Sequence, residues 1–586
     1  MLDHNSSIVG SPVRAAFLSL LVLFLPALAP GASPPARGVA PGRFVMAPDG
    51  RTTAEAFSVK DALVDQLLAA QLEEEIEVPG WPIAPGVRSD LRLTRHDVYA
   101  PDARLYEIRG GKKTEVPRSR WHFFWGEVQS MPGGRALLIV DPDDRTIRGQ
   151  SDAPGGLCEL RAPSSDRPHE NLVAPIESFF PPGALSNGNP IWTCGQESLP
   201  PIAPPFEIHS PDSGASTGVA PEAIQWLHLA TIAVDTDNEL MSLKFADNVA
   251  NATNYVAQLF AAITVGYERD LKVRLLQGNT TYRVSTTTDP YTGGTTSADQ
   301  TKLQEFSTYW STNYGSVTRA LAMMLSGKQA STNSSSGIAW INSLCNTSYG
   351  YSFTQVFKFG GATGSSDALV VGHEVGHNFG SPHTHCYSPP IDNCYNTEAG
   401  CYAGTKTCPA SATINGVPNV TGTWMSYCHL SGIAGCTSSQ VFHPTTVTLL
   451  NGYVQSKVGV CIFPSGTPVE ASPGSQMRLQ KAGGVSTQLP VTFSPSCGAT
   501  RHTVYTGSIA NLASAGVSWT ARYCLFDNSG NLTFDPAAAT NFYFVVAGNN
   551  GTQEGSYGHN SSGAELPAAP VGGGCNYTRV LGGVCP

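Results

Sequence analysis

The segment Gly372-His373-Glu374-Val375-Gly376-His377-Asn378-Phe379-Gly380-Ser381-Pro382-His383 concentrates more chemistry than any other stretch of the chain. Histidines four apart on a helix project from one face, a single turn from each other, so two imidazoles can reach one metal ion. Glu374 neighbours the first of them and can hydrogen-bond a water at that metal without ligating it. Gly380 can take positive φ and stop the helix, and Pro382 stiffens a return that presents His383 as a third ligand. Three protein ligands with one position left for water is the arrangement of a catalytic zinc; structural zinc sites are closed by four. His385 is a rival third ligand whose spacing breaks the pattern. Two histidines around a glutamate turn up by chance, but requiring a glycine and a third histidine at set positions makes chance matches rare.

The elements that must hold these residues follow from periodicity. Ser366 and Asp367 are plausible helix caps, and Ala368 to Phe379 can run as the helix itself. Around it, residues 222 to 464 alternate strands and helices: strands at His228–Val234, Leu271–Leu276, Ala320–Leu325 and Gly337–Ile341, and a helix from Phe245 to Ile263. Ahead of this region, Ala54 to Ile76 reads as an amphipathic helix. Phe123–Val128, Arg135–Val140 and a run ending at Gly149 read as strands. Leu199 to Pro221 is a Pro/Ser/Gly-rich linker open to proteases. Beyond residue 465, short β-like runs between turns (Leu489–Phe493, Thr503–Gly507, Phe542–Val546) predict a small all-β unit.

The Gly372–His383 string resembles the metzincin metallopeptidase signature, HExxHxxGxxH followed by a Met-turn. Gly422-Thr423-Trp424-Met425-Ser426-Tyr427-Cys428 resembles that turn, which implies that Met425 forms a hydrophobic floor beneath the zinc ligands. Within the clan, the string and the order of elements from His228 onward are most similar to the adamalysin/reprolysin branch, over about residues 222 to 464. Thr384 departs from the aspartate that this branch carries after its third histidine. Tyr427 resembles the Met-x-Tyr of astacins and serralysins, implying a tyrosine that contacts zinc or stabilises the oxyanion; a packed aromatic is the alternative. The Gly337–Ile341 strand resembles the edge strand that pairs with substrate, which makes Ala339 and Trp340 cleft residues or members of a plain sheet. The implied mechanism is hydrolysis by a zinc-activated water, with Glu374 as general base and then acid. Zinc-binding imidazoles must be neutral, so activity should fall below about pH 6. The resemblance also admits calcium, without assignable ligands.

Fourteen cysteines fit an exported chain, where bridges persist. Cys386, Cys394, Cys401 and Cys408 crowd the stretch after His383 and read as disulfides rather than as a second zinc site. Arg14 and the apolar run Ala15–Ala29 read as a secretory signal, since a membrane span takes about 20 residues. A net charge of −10 leaves no electrostatic footprint for nucleic acid. The β-rich stretch before the linker loosely resembles reprolysin propeptides. That implies a cysteine switch in which Cys194 occupies zinc's fourth position; a Cys158–Cys194 disulfide is the alternative.

The expected architecture is multidomain: a signal peptide over 1–32, a β-rich propeptide and linker over 33–221, a metzincin-like peptidase over 222–464, and a tail over 465–586. The peptidase is expected as an α/β (α+β) domain with a twisted mixed sheet and the HExxH helix, and the tail, resembling a fibronectin type III-like module, as an all-β sandwich. The expected function is a secreted zinc endopeptidase acting on proteins or peptides, with its own propeptide as inhibitor and no membrane span once the signal is removed. The alternative is an exported adhesion or binding protein whose metzincin domain keeps zinc but has little activity.

Overall fold

Period-2 alternation in the N-terminal strands sends their side chains into two separate cores. Nine antiparallel strands form one sheet in the order Arg43–Met46, Thr53–Phe57, Asn171–Pro175, Gly156–Arg161, Thr146–Ala153, Arg135–Asp141, His122–Val128, Val87–His96, Glu75–Ala84. Phe124, Leu138 and Val140 point to one face and pack with Leu63, Val64 and Leu67 of the short Asp61–Ala69 helix. Phe123, Trp125, Leu137 and Ile139 point the other way and join the core built on the long Val249–Leu271 helix. The computed structural model describes most of residues 38–199 and 227–465 and, with more interruptions, 477–581. The signal reading on 1–32 and nearly all of the Leu199–Pro221 linker lie outside the described residues, as do Cys497, Cys575 and Cys585.

The second sheet is mixed. Its order is Trp192–Cys194, Ser335–Ala339, Tyr351–Gln355, Leu321–Ser326, His228–Thr236, Val273–Arg283, Leu105–Arg109, Lys112–Val116, with Ile462–Pro464 pairing onto His228–Ala230. The four strands from Tyr351–Gln355 to Val273–Arg283 run parallel to one another, and Ser335–Ala339 is antiparallel to its neighbour. Near-continuous apolar runs such as Leu321–Leu325 suit strands covered on both faces. Two of its elements, the Leu105–Val116 hairpin and the Trp192–Cys194 strand, come from residues before 222, so the N-terminal region is woven into this sheet at both ends. In the tail, a three-stranded and a five-stranded sheet share one buried cluster that includes Val491, Val504, Leu532 and Val546. Among the described residues no helix is long and apolar enough to cross a membrane.

Three local expectations need correction. Ala54–Ile76 is not one helix: Thr53–Phe57 is a strand paired on both sides, Asp61–Ala69 is the helix, and the chain re-enters a strand at Glu75 after Glu73 takes positive φ. The amphipathic spacing is real only over Leu63–Leu67; pairing with the distant Asn171–Val173 stretch overrides it upstream. The Phe245–Ile263 helix is two helices, Asn238–Phe245 and Val249–Leu271, broken where Ala246 and Asp247 adopt the left-handed conformation. The helix carrying His373 runs Gly364–Asn378 and is capped by Thr363, not by Ser366 or Asp367. Thr363 and Ser366 form a reciprocal capping box, while Asp367 turns inward to accept from Tyr255 Oη (2.6 Å) and Lys244 Nζ (3.2 Å).

Candidate metal centre

The helix that presents His373 and His377 is buried along nearly its whole length, and two glycines allow the close packing. A methyl group on Gly372 would overlap the Trp424 indole, and one on Gly376 would overlap Met425 Sδ. Met425 therefore lies directly beneath the helix turn between the two histidines, fully buried. Gly380, at φ +114°, ends the helix, and Ser381 N reaches back to Gly376 O (3.1 Å). Thr384 then ties the returning segment down, its N–H donating to Met425 O at 3.0 Å.

Each imidazole is oriented through Nδ1. His373 Nδ1–H donates to Trp424 O, His377 Nδ1–H to Ser381 O and His383 Nδ1–H to Glu398 Oε2, each at 2.7 Å. All three are thereby fixed as the tautomer whose Nε2 carries a lone pair. The Nε2 atoms of His373 and His377 stand 3.1 Å apart, and His383 Nε2 is buried with no hydrogen-bond partner among the described residues. Lone pairs converging in a dry pocket repel unless a cation lies between them. Burial, with His377 and His383 adding to it, holds His373 well below the ordinary imidazole value; burial brings His377 down to about 3. Neutral nitrogen donors of this kind suit zinc.

Cys194 completes the cluster. One donor atom from each of Cys194, His373, His377 and His383 lies within 4.8 Å of all the others, and all four residues are buried. Its Sγ is 3.5 Å from His377 Nε2 and 3.5 Å from Glu374 Oε2. Cys158 and Cys194 form no disulfide with each other. The strand Trp192–Cys194 lies parallel to Ser335–Ala339, with Cys194 opposite Gly337. Gly337 faces Glu374 closely enough that a methyl group there would overlap Oε1. Glu374 Oε1 has no partner among the described residues, and burial pushes its carboxyl well above the usual carboxylate range. Tyr427 brackets the Cys194 backbone: its hydroxyl accepts from Cys194 N (3.1 Å) and donates to Cys194 O (3.0 Å). Its ring leans on His383, centroids 4.3 Å apart.

Trp340 sits elsewhere. Trp340 packs in a separate core with Ile338 and Phe353 and meets Tyr349 edge-on, and Ala339 pairs with Ser352 of the next strand. The Trp192–Cys194 strand pairs with Ser335–Gly337. His385 turns its Nε2 to Glu398 (2.8 Å) and is absent from the four-residue cluster. The cysteine-dense stretch forms the disulfides Cys386–Cys401, Cys394–Cys428 and Cys408–Cys436, and Cys345–Cys461 ties the sheet to the C-terminal end of this region. Glu398 is a site residue that spacing does not reveal. It sits inside the loop closed by Cys386–Cys401, and its one oxygen accepts from both His383 and His385. Although burial opposes it, those two bonds hold its carboxyl below the usual range. The only signal in the sequence is an acid inside a cysteine-bounded loop just past the third histidine.

Residues 228–427 match the family model Reprolysin_5, metallo-peptidase family M12. The match opens on the strand at His228 and closes on Tyr427, so it spans all three histidines, Glu374 and the Met425 turn. No curated protein matches the chain. Among solved structures, metalloproteinase-II from Bacteroides fragilis is similar over 55% of this chain and 84% of its own, at 10% identity and a TM-score of 0.29. A chaperone–substrate complex is similar over 39% and 34%, at 10% identity and a TM-score of 0.22. At such TM-scores neither likeness bears on the site, and the M12 match stands on the sequence of the segment.

Proposed function

We propose that the chain is a zinc-dependent endopeptidase, exported as a latent precursor, that hydrolyses peptide bonds within proteins. One juxtaposition carries the reading: a thiol and three Nδ1-anchored imidazoles converge beside a buried glutamate. His373, His377 and His383 would hold the zinc, with Cys194 as fourth ligand in the latent form. Zinc bound there supplies Lewis acidity toward a carbonyl oxygen and toward water.

The protein's own groups do the rest. Glu374 takes a proton from the attacking water and returns it to the leaving amine. Burial raises its proton affinity, which suits a group that must hold a proton between those steps. Burial also keeps the Tyr427 hydroxyl protonated. Once the Trp192–Cys194 strand leaves, that hydroxyl is free to donate to the developing oxyanion. The same departure frees the Ser335–Gly337 edge to pair with a substrate backbone. Bridged cysteines throughout the peptidase region fit export. The tail's two sheets, which share the buried cluster of Val491, Val504, Leu532 and Val546, fit a fibronectin type III-like sandwich.

The test is zinc-dependent cleavage of a denatured protein by the full-length chain carrying Cys194→Ala. Adding Glu374→Gln should lower the rate by roughly 10²–10⁴-fold while zinc is retained. Zinc retained with no cleavage, even after proteolysis in the linker, would favour a binding protein instead.

A further inference from the structure

Trp192 and Cys194 point to the same side of their strand, and Thr193 between them is exposed. The Trp192 indole is 1% exposed and fills a slot in the peptidase region. It stacks on His429, centroids 4.0 Å apart and planes 18° apart, and meets His373 edge-on at 4.8 Å and Tyr427 edge-on at 6.1 Å. His429 is locked in place: Nε2–H donates to Trp192 O (3.1 Å), and Nδ1 accepts from Ser438 Oγ (3.0 Å). The slot is flat and aromatic. It gives the indole Nε1–H no acceptor among the described residues, so it reads a ring face rather than an indole hydrogen bond.

The strand carrying Trp192 pairs backbone to backbone with the sheet edge, as an extended peptide added to a sheet does. A side chain seated from that position marks where a substrate's side chain goes. Resting on the zinc-endopeptidase reading, we propose that the slot walled by His429, Tyr427 and the edge of His373 is a subsite for an aromatic side chain. Trp192 occupies it in the latent chain, and His429 determines its specificity. The substrates are polypeptides with Phe, Tyr or Trp at one set position within two residues of the scissile bond. Phenylalanine suits the slot at least as well as tryptophan, because it strands no N–H.

The test uses the full-length protein, first latent and then opened by limited proteolysis between residues 200 and 221. In the latent form, the alkylation rate of Cys194 reads how firmly the strand is seated without requiring turnover. Trp192→Phe should leave that rate within about twofold of wild type, and Trp192→Ala should raise it about tenfold or more, a loss of ~1.4 kcal/mol. Equal rates for all three proteins would overturn the anchoring. In the opened form, a peptide library should show aromatic residues enriched at one position beside the cut. His429→Ala should lower the kcat/KM ratio of a Phe-containing peptide to its Ala counterpart about tenfold. Cleavage without aromatic preference, or a preference that survives His429→Ala, would overturn the subsite and leave the endopeptidase reading intact. No zinc-dependent cleavage of any peptide would overturn both. If His429→Ala does not fold, the wild-type profile decides alone.

Discussion

Two buried thiols in the N-terminal region, Cys158 and Cys194, have opposite surroundings. Cys158 lies in the antiparallel sheet, opposite Ser151 and Pro175, and belongs to an apolar cluster with Val173 and Leu160. Burial pushes its pKa up to about 12, so it is a small apolar filler. Cys194 lies on a three-residue strand at the edge of the other sheet, and its sulfur faces His377 and Glu374. Both are similarly buried, so burial does not separate them. What separates them is that imidazole nitrogens converge on one and not on the other, with their own hydrogens already committed elsewhere.

The largest test of that contrast exchanges each thiol in the full-length chain. Cys194→Ala should raise peptidase activity by roughly 10²-fold or more, the gain expected on removing a ligand tethered beside its site. Cys158→Ala should leave activity within about twofold and cost about 1 kcal/mol of stability in thermal unfolding. Next in size, Glu398→Gln should weaken zinc retention about 10–100-fold in chelator competition, because His383 loses the carboxylate that orients it. Unchanged retention would make Glu398 a packing residue like those around Cys158. Gly337→Ala should lower peptide turnover about tenfold, because the new methyl group overlaps Glu374 Oε1 at the point where Cys194 docks.

The last effect is read apart from activity and zinc retention, as stability against pH in the zinc-free protein. Burial holds His377 and His429 near 3 and His373 well below its ordinary value, and unfolding lets each bind a proton. Their contribution is lost as pH falls from about 6.5 toward 3. Glu374 runs the other way: its raised folded pKa means that its contribution is lost as pH rises above about 4.5. Three imidazoles against one carboxyl leave a net loss on acidification from pH 6.5 to 4.5, up to roughly 3 kcal/mol per unit. The melting temperature of the chelated protein should therefore drop between pH 7 and 5; a flat profile would mean that these imidazoles are not held neutral.

Much of the site was legible because its residues are close in sequence. His373, His377, Gly380 and His383 obey helix geometry and a glycine stop, and Met425 follows from the resemblance. The strands at His228–Thr236 and Leu321–Ser326 were legible for the same reason, as continuous apolar runs, whereas the one expected at Leu271–Leu276 lies at Val273–Arg283. What was missed depends on contacts between distant segments. Thr53–Phe57 became a strand through a partner more than a hundred residues away. Glu398 reaches His383 only because a disulfide folds its loop back. Gly337, rather than Trp340, faces Glu374, because the strand ends at Ala339 and Trp340 turns into another core. The slot of Trp192 joins the N-terminal region to a residue past the Met425 turn, a pairing that no local pattern encodes.

The central claim is one zinc held by three imidazoles and, before activation, by Cys194. X-ray absorption at the zinc edge, measured on the full-length protein and again after linker proteolysis, tests it directly. One sulfur and three nitrogen donors are expected in the latent form, with the sulfur replaced by oxygen once the N-terminal region is released. A latent protein that binds no zinc at this site, or binds it without a sulfur donor, would contradict it.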